Sequence, residues 1–125
     1  MKVELLNTLQ LQRFVDKGCA EPNYCYKNCA QIVIGLQVGN YVLCRVTDSW
    51  GHWHGHAVVQ INGAYYDPTL QKNSSLAQQY KFFRSFTRQE LEKFMKESGA
   101  KFESNGFSGF APALFDDDSI KCVRV

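Results

Sequence analysis

Asn62-Gly63 lies between the β-prone runs His56-Ala57-Val58-Val59-Gln60-Ile61 and Ala64-Tyr65-Tyr66-Asp67, and it constrains this chain more than any other short feature. Asn-Gly between such runs is a strong hairpin signal, because both residues accept the left-handed backbone that a two-residue turn demands. Ile61 then faces Ala64, Val58 faces Asp67 and His56 faces Thr69. Side chains alternate along a strand, so His56 and Val58 share a side. His56 and Asp67 become diagonal neighbours, with Cα atoms roughly 7–8 Å apart, within reach for an imidazole and a carboxylate.

Upstream, Thr8 can cap a helix over residues 9–17 that stops at Gly18. Residues 19–23 read as a loop, and Asn23 can cap a second helix over residues 24–36. Cys25, Cys29, Ile32 and Leu36 fall on one stripe of that helix, widened by Ala30, Val33 and Ile34, as expected of a central buried helix. Residues 41–47 read as a strand and residues 48–55 as a loop rich in Trp and His. Pro68 and Thr69 end the second hairpin strand. Residues 70–86 carry no clear pattern, although Phe82, Phe83 and Phe86 are expected to pack. Thr87-Arg88-Gln89-Glu90 matches a capping box opening a helix through Leu91, Phe94 and Met95 that ends at Gly99. A Gly/Phe loop over 105–110, a solvated acidic run Asp116-Asp117-Asp118 and a short strand over 120–125 complete the chain. Two helices followed by mostly antiparallel strands predict an α+β fold, a central helix packed on a small antiparallel sheet.

The 125 residues fit a single domain, 1–125, able to bury a core without metal or disulfide support. A net charge of +2 with scattered Lys and Arg points away from nucleic acid and from anionic membranes. No apolar run approaches the roughly 18 residues of a membrane helix. Residues 1–7 lack a signal-peptide h-region, so an intracellular setting is expected, the cytoplasm of a bacterium or of a phage-infected host cell. The five cysteines are then reduced thiols, and Asn73-Ser74-Ser75 is a plain polar loop. No Cys-x-x-Cys pair occurs, which argues against a structural zinc site, and no cofactor motif stands out.

Cys25 lies at the start of its helix, where free N–H groups and the helix dipole favour a thiolate and can hold an oxyanion. A thiolate nucleophile needs a base, and the base needs an orienting group. His56 and Asp67 can supply both. The expected chemistry is acyl transfer on an amide of a protein, peptide or small molecule, with Cys25 attacking a carbonyl. Asn28, Trp50, Trp53 and Tyr66 are candidate substrate contacts.

Cys25-Tyr26-Lys27-Asn28, Tyr41-Val42, His56-Ala57 and Asp67-Pro68-Thr69 together resemble the transglutaminase-like branch of the papain-like superfamily, over about residues 24–69. The resemblance implies a papain-like fold, Cys25 as nucleophile, His56 as general base and Asp67 as orienting acid. Val58 replaces the aromatic residue often found after His-Ala. The papain-type glutamine ahead of the cysteine has no clear counterpart, and Gln12 and Asn23 are the conceivable oxyanion donors in its place. Cys29 stands where a small residue, commonly Ala, is expected, which makes Cys29 the rival nucleophile.

Two other readings compete. His52, His54 and His56 form a His-x-His-x-His run that would suit a metal if all three lay on one strand. Alternatively, a papain-like chain without catalysis could bind a protein or small molecule through Trp50, Trp53, Tyr65 and Tyr66. Gly106-Phe107-Ser108-Gly109 is one residue short of a serine nucleophile elbow.

Overall fold

The computed structural model describes residues 1–104 and 106–125. A five-stranded mixed sheet has the order β1-β4-β3-β2-β5. Its strands are β1 (Val3–Glu4), β2 (Asn40–Thr47), β3 (Trp53–Ile61), β4 (Ala64–Tyr66) and β5 (Tyr80–Phe86). Only the short β1–β4 pair is parallel. The helices are α1 (Thr8–Asp16), α2 (Cys25–Ala30), α3 (Pro68–Asn73) and α4 (Arg88–Glu97), and α2 runs on as a π-helical turn over Gln31–Gly35. Two further hairpins follow α4: β6 (Lys101–Glu103) with β7 (Gly106–Ser108), and β8 (Phe110–Leu114) with β9 (Ile120–Arg124). The content is mixed α and β, as expected.

β2 organises the interior because both of its faces are buried. Tyr41 and Leu43 join the main core with Cys29, Ile32 and Val33 of α2 and its π turn, Phe14 of α1, and Leu91 and Met95 of α4. Val42, Cys44 and Val46 join a smaller cluster with Val58, against which Tyr65, Ala77 and Tyr80 pack. Burial of this kind contributes about 25 cal/mol per Å² of apolar surface removed from water. The sheet therefore sits between two apolar layers of unequal size.

The hairpin forms as its turn dictates. Asn62 and Gly63 have φ of 51° and 85°, the left-handed pair that a primed turn requires. Ile61 pairs with Ala64, Gln60 with Tyr65 and Val59 with Tyr66. The ladder then stops, which corrects the expected pairings of Val58 with Asp67 and of His56 with Thr69. Asp67 caps α3 by accepting from Leu70 N, and Pro68 takes the first helical turn, where its missing N–H costs nothing. Thr69 is thus helical and buried.

Other expectations shift by a few residues or fail locally. Asn7 rather than Thr8 caps α1, its side chain accepting from Gln10 N. Asn23 does not cap α2, because its φ of 67° places it in a left-handed loop; Tyr24 takes that position with no side-chain cap. β3 begins at Trp53, so the Trp/His loop is shorter than expected. The unassigned stretch contains α3 and the edge strand β5, and much of the expected Gly/Phe loop is strand. Asn105, expected in that loop, lies outside the described residues. The capping box of Thr87 and Glu90 forms as anticipated. No helix among the described residues is long and apolar enough to cross a membrane.

Candidate functional site

α2 packs against β3, and Cys25 is its first residue. The first backbone bond of the helix runs from Asn28 N to Tyr24 O at 2.8 Å, so the N–H groups of residues 25–27 have no partner within the helix. Cys25 is half-buried, whereas Cys29, one turn on, is fully buried. Burial pushes the Cys29 thiol well above its ordinary range.

His56 stands opposite Cys44 of β2 in the ladder. On its other side β4 pairs with β3 only at Val59, Gln60 and Ile61, and the chain beyond β4 brings Asp67 to the ring. His56 Nε2 is 2.8 Å from Asp67 Oδ2, with the ring 6% exposed and the carboxylate 0%. A carboxylate only accepts, so Nε2 carries the proton and Nδ1 is left for the sulfur. Burial alone would push the imidazolium down. The hydrogen bond to Asp67 and the Cys25 sulfur near the ring outweigh it and hold His56 up at about 10. Both partners thus favour the protonated ring.

Asp67 is saturated with donors. Oδ2 also accepts from the Tyr80 hydroxyl at 2.8 Å, and Oδ1 accepts from Leu70 N at 3.2 Å. Tyr80 lies in the stretch that carried no clear pattern, although Tyr80-Lys81-Phe82-Phe83-Arg84-Ser85-Phe86 has the composition of a strand. Gly55 is the other residue missed. A Cβ there would collide with the Leu114 carbonyl and stand 2.9 Å from the Tyr26 hydroxyl, so only glycine lets β8 and Tyr26 close over β3 beside His56.

The candidate substrate contacts divide. Trp50 and Trp53 are 83% and 43% exposed, on the approach to β3 and at its first residue. Asn28 is a correction: it is 0% exposed, and its side chain is spent on Glu21 N, Glu21 O and Thr69 Oγ1. Tyr66 is a second correction. It packs on the main core and lines a shallow depression with Leu5, Leu6 and Gln10, to which Cys25 does not contribute. Gln12 Nε2 donates to Asp16 Oδ1 on its own helix, and Asn23 sits in the left-handed turn before α2.

The three histidines do not converge. His54 Nε2 meets Asp48 Oδ2 at 2.6 Å, His52 lies 3.8 Å from the same oxygen, and His56 is committed to Asp67. Among the described residues no group of three or more His, Cys, Asp or Glu is placed to hold a metal ion. A groove of about 850 Å³ lies elsewhere, lined in part by Ile34, Lys93, Lys96 and Phe102, and it holds no cysteine or histidine. Asp118 pairs with Arg45, and Asp117 accepts from Ser119, so the acidic run is occupied in shaping the β8–β9 turn.

No protein-family model, curated protein or solved structure matches this chain.

Proposed function

We propose that the chain is a cysteine-nucleophile enzyme of papain-like, transglutaminase-like type that transfers acyl groups from an amide or related bond. The observation that carries the reading is the buried His56–Asp67 bond at 2.8 Å, with half-exposed Cys25 near the ring. A histidine sealed from water with a carboxylate on one nitrogen and a sulfur beside the ring has a direct use in nucleophilic catalysis.

In this reading the His56 imidazolium stabilises the Cys25 thiolate, which attacks a carbonyl carbon. The oxyanion that forms takes hydrogen bonds from the unpartnered N–H groups at the start of α2. His56 gives its proton to the leaving amine, leaving a thioester on Cys25. The neutral ring then takes a proton from water or from an acceptor amine, which attacks the thioester and frees the sulfur. Asp67 holds Nε2 throughout, fixing the ring and stabilising its charge. The exposed Trp50 and Trp53 offer apolar surface for the acyl donor beside the strand that carries His56.

A test needs no knowledge of the natural substrate. p-Nitrophenyl acetate should give a burst of nitrophenolate and a single acetyl adduct on Cys25 by mass spectrometry. Cys25→Ala should abolish both with the fold intact. A burst that survives this change and vanishes in Cys29→Ala would move the nucleophile one turn along the helix.

A further inference from the structure

Tyr80 reaches the site from β5, on the far side of β2 from β3. Its hydroxyl has two partners. Ala77 N–H donates to the phenol oxygen at 3.1 Å, and the phenol donates to Asp67 Oδ2 at 2.8 Å. The oxygen it meets is the one that His56 Nε2 also meets at 2.8 Å. Two donors thus share one carboxylate oxygen in a buried setting, where each donor draws charge that the other would otherwise feel.

We propose that Tyr80 is a positioning residue of the relay: its hydroxyl, aimed by the Ala77 N–H, competes with His56 for Asp67 Oδ2 and sets how firmly the carboxylate grips the imidazole. This rests on the catalytic reading given above and extends it to a fourth side chain. The geometry gives Tyr80 no contact with a reacting atom, so it acts through Asp67. Other titratable groups near the carboxylate are Cys29 of α2 and Cys44 of β2, while Cys25 faces the ring. Burial raises both the Cys29 and Cys44 thiols, which stay neutral, and Tyr80 is raised in the same way. These three neutral groups add no charge of their own beside the carboxylate, so the Tyr80 dipole acts directly on the His56–Asp67 pair.

The test is an NMR titration of the histidine rings in the intact chain, beside the rate of Cys25 alkylation by iodoacetamide. Tyr80→Phe removes a donor, leaves more carboxylate charge for His56, and should move its midpoint up by about half a unit, roughly threefold in proton affinity. The firmer hold on the imidazolium also steadies the thiolate beside it, so alkylation of Cys25 at neutral pH should rise, by at most about threefold. A ring-fluorinated tyrosine placed at 80 is a stronger donor of nearly the same shape, and should move the midpoint down. This second variant keeps the phenol, so it decides the matter even where Tyr80→Phe folds poorly. A His56 midpoint that stays put in both variants, with only stability changed, overturns the proposal. Should wild-type alkylation prove indifferent to His56→Gln, the catalytic reading fails separately, and the titration still reports whether Tyr80 and His56 are coupled through Asp67.

Discussion

Asn28 Nδ2 donates to Thr69 Oγ1 at 2.9 Å, joining two buried side chains separated by 41 residues of chain. The bond ties the helix that begins at Cys25 to the helix that Asp67 caps, so Cys25 and Asp67 share one internal brace. The same amide closes the loop ahead of α2 through Glu21 N at 3.2 Å and Glu21 O at 2.9 Å. All of its polar atoms are occupied by the protein itself.

Asn28→Ala should therefore cost about 1–3 kcal/mol, because it leaves the Glu21 backbone and the Thr69 hydroxyl without partners as well as removing three bonds. Urea denaturation measures the loss. Cys25 reactivity should fall with it, since the two helices lose their register. Asn28→Asp, which keeps the acceptor but loses both donors, should not restore it.

The His56 charge makes stability depend on pH in a particular sense. Its folded value, about 10, lies above the ordinary 6.5, so the stabilisation is complete below about 6.5 and is lost as pH rises toward 10. The urea midpoint of the wild type should fall between pH 6.5 and pH 10 relative to that of His56→Gln. A difference between the two proteins that stays constant over this window would mean that the ring is not charged in the fold.

Gly55 is required for space rather than for an unusual backbone. Gly55→Ala should cost about 1–3 kcal/mol, since the new methyl group must displace both the Leu114 carbonyl of β8 and the Tyr26 hydroxyl. The thermal midpoint should drop, and Cys25, the neighbour of Tyr26, should lose reactivity. An unchanged midpoint would show that β8 is not held against β3 there.

Alkylation should also be selective among the thiols. Cys19, Cys29 and Cys44 are buried, and burial raises Cys19 to about 11, while half-buried Cys122 is raised as well. Under brief treatment near neutral pH the first alkyl group should be found on Cys25 by peptide mapping. Cys29→Ala should leave that rate unchanged and cost stability through the cavity it opens.

How far these features were legible follows from how local their causes are. The Asn62-Gly63 turn and the Thr87 capping box depend on a few adjacent residues, and both form as expected. The hairpin carried the His56–Asp67 relation with it, which is why two distant-looking polar residues could be paired in advance. Asp67-Pro68 was also a helix start in plain view, an N-cap followed by proline, but the extended run before it favoured reading a strand end. β5 escaped notice because it is an edge strand with Lys81 and Arg84 among its aromatics, a composition that protects an edge and blurs alternation. Gly55 was taken for loop because its reason lies in β8, some 60 residues later in the chain, and no local pattern could show it. The roles of Asn28 and Tyr66 were misjudged for a related reason. A polar or aromatic residue beside a site looks the same in sequence whether it faces solvent or the interior.

The most direct measurement is the rate of iodoacetamide alkylation of Cys25 at neutral pH, compared between the wild type and His56→Gln. If His56 activates the sulfur, the wild-type rate exceeds the variant's by about tenfold or more. Equal rates in two folded proteins, or a Cys25 that does not react faster than a free thiol, would contradict the relay.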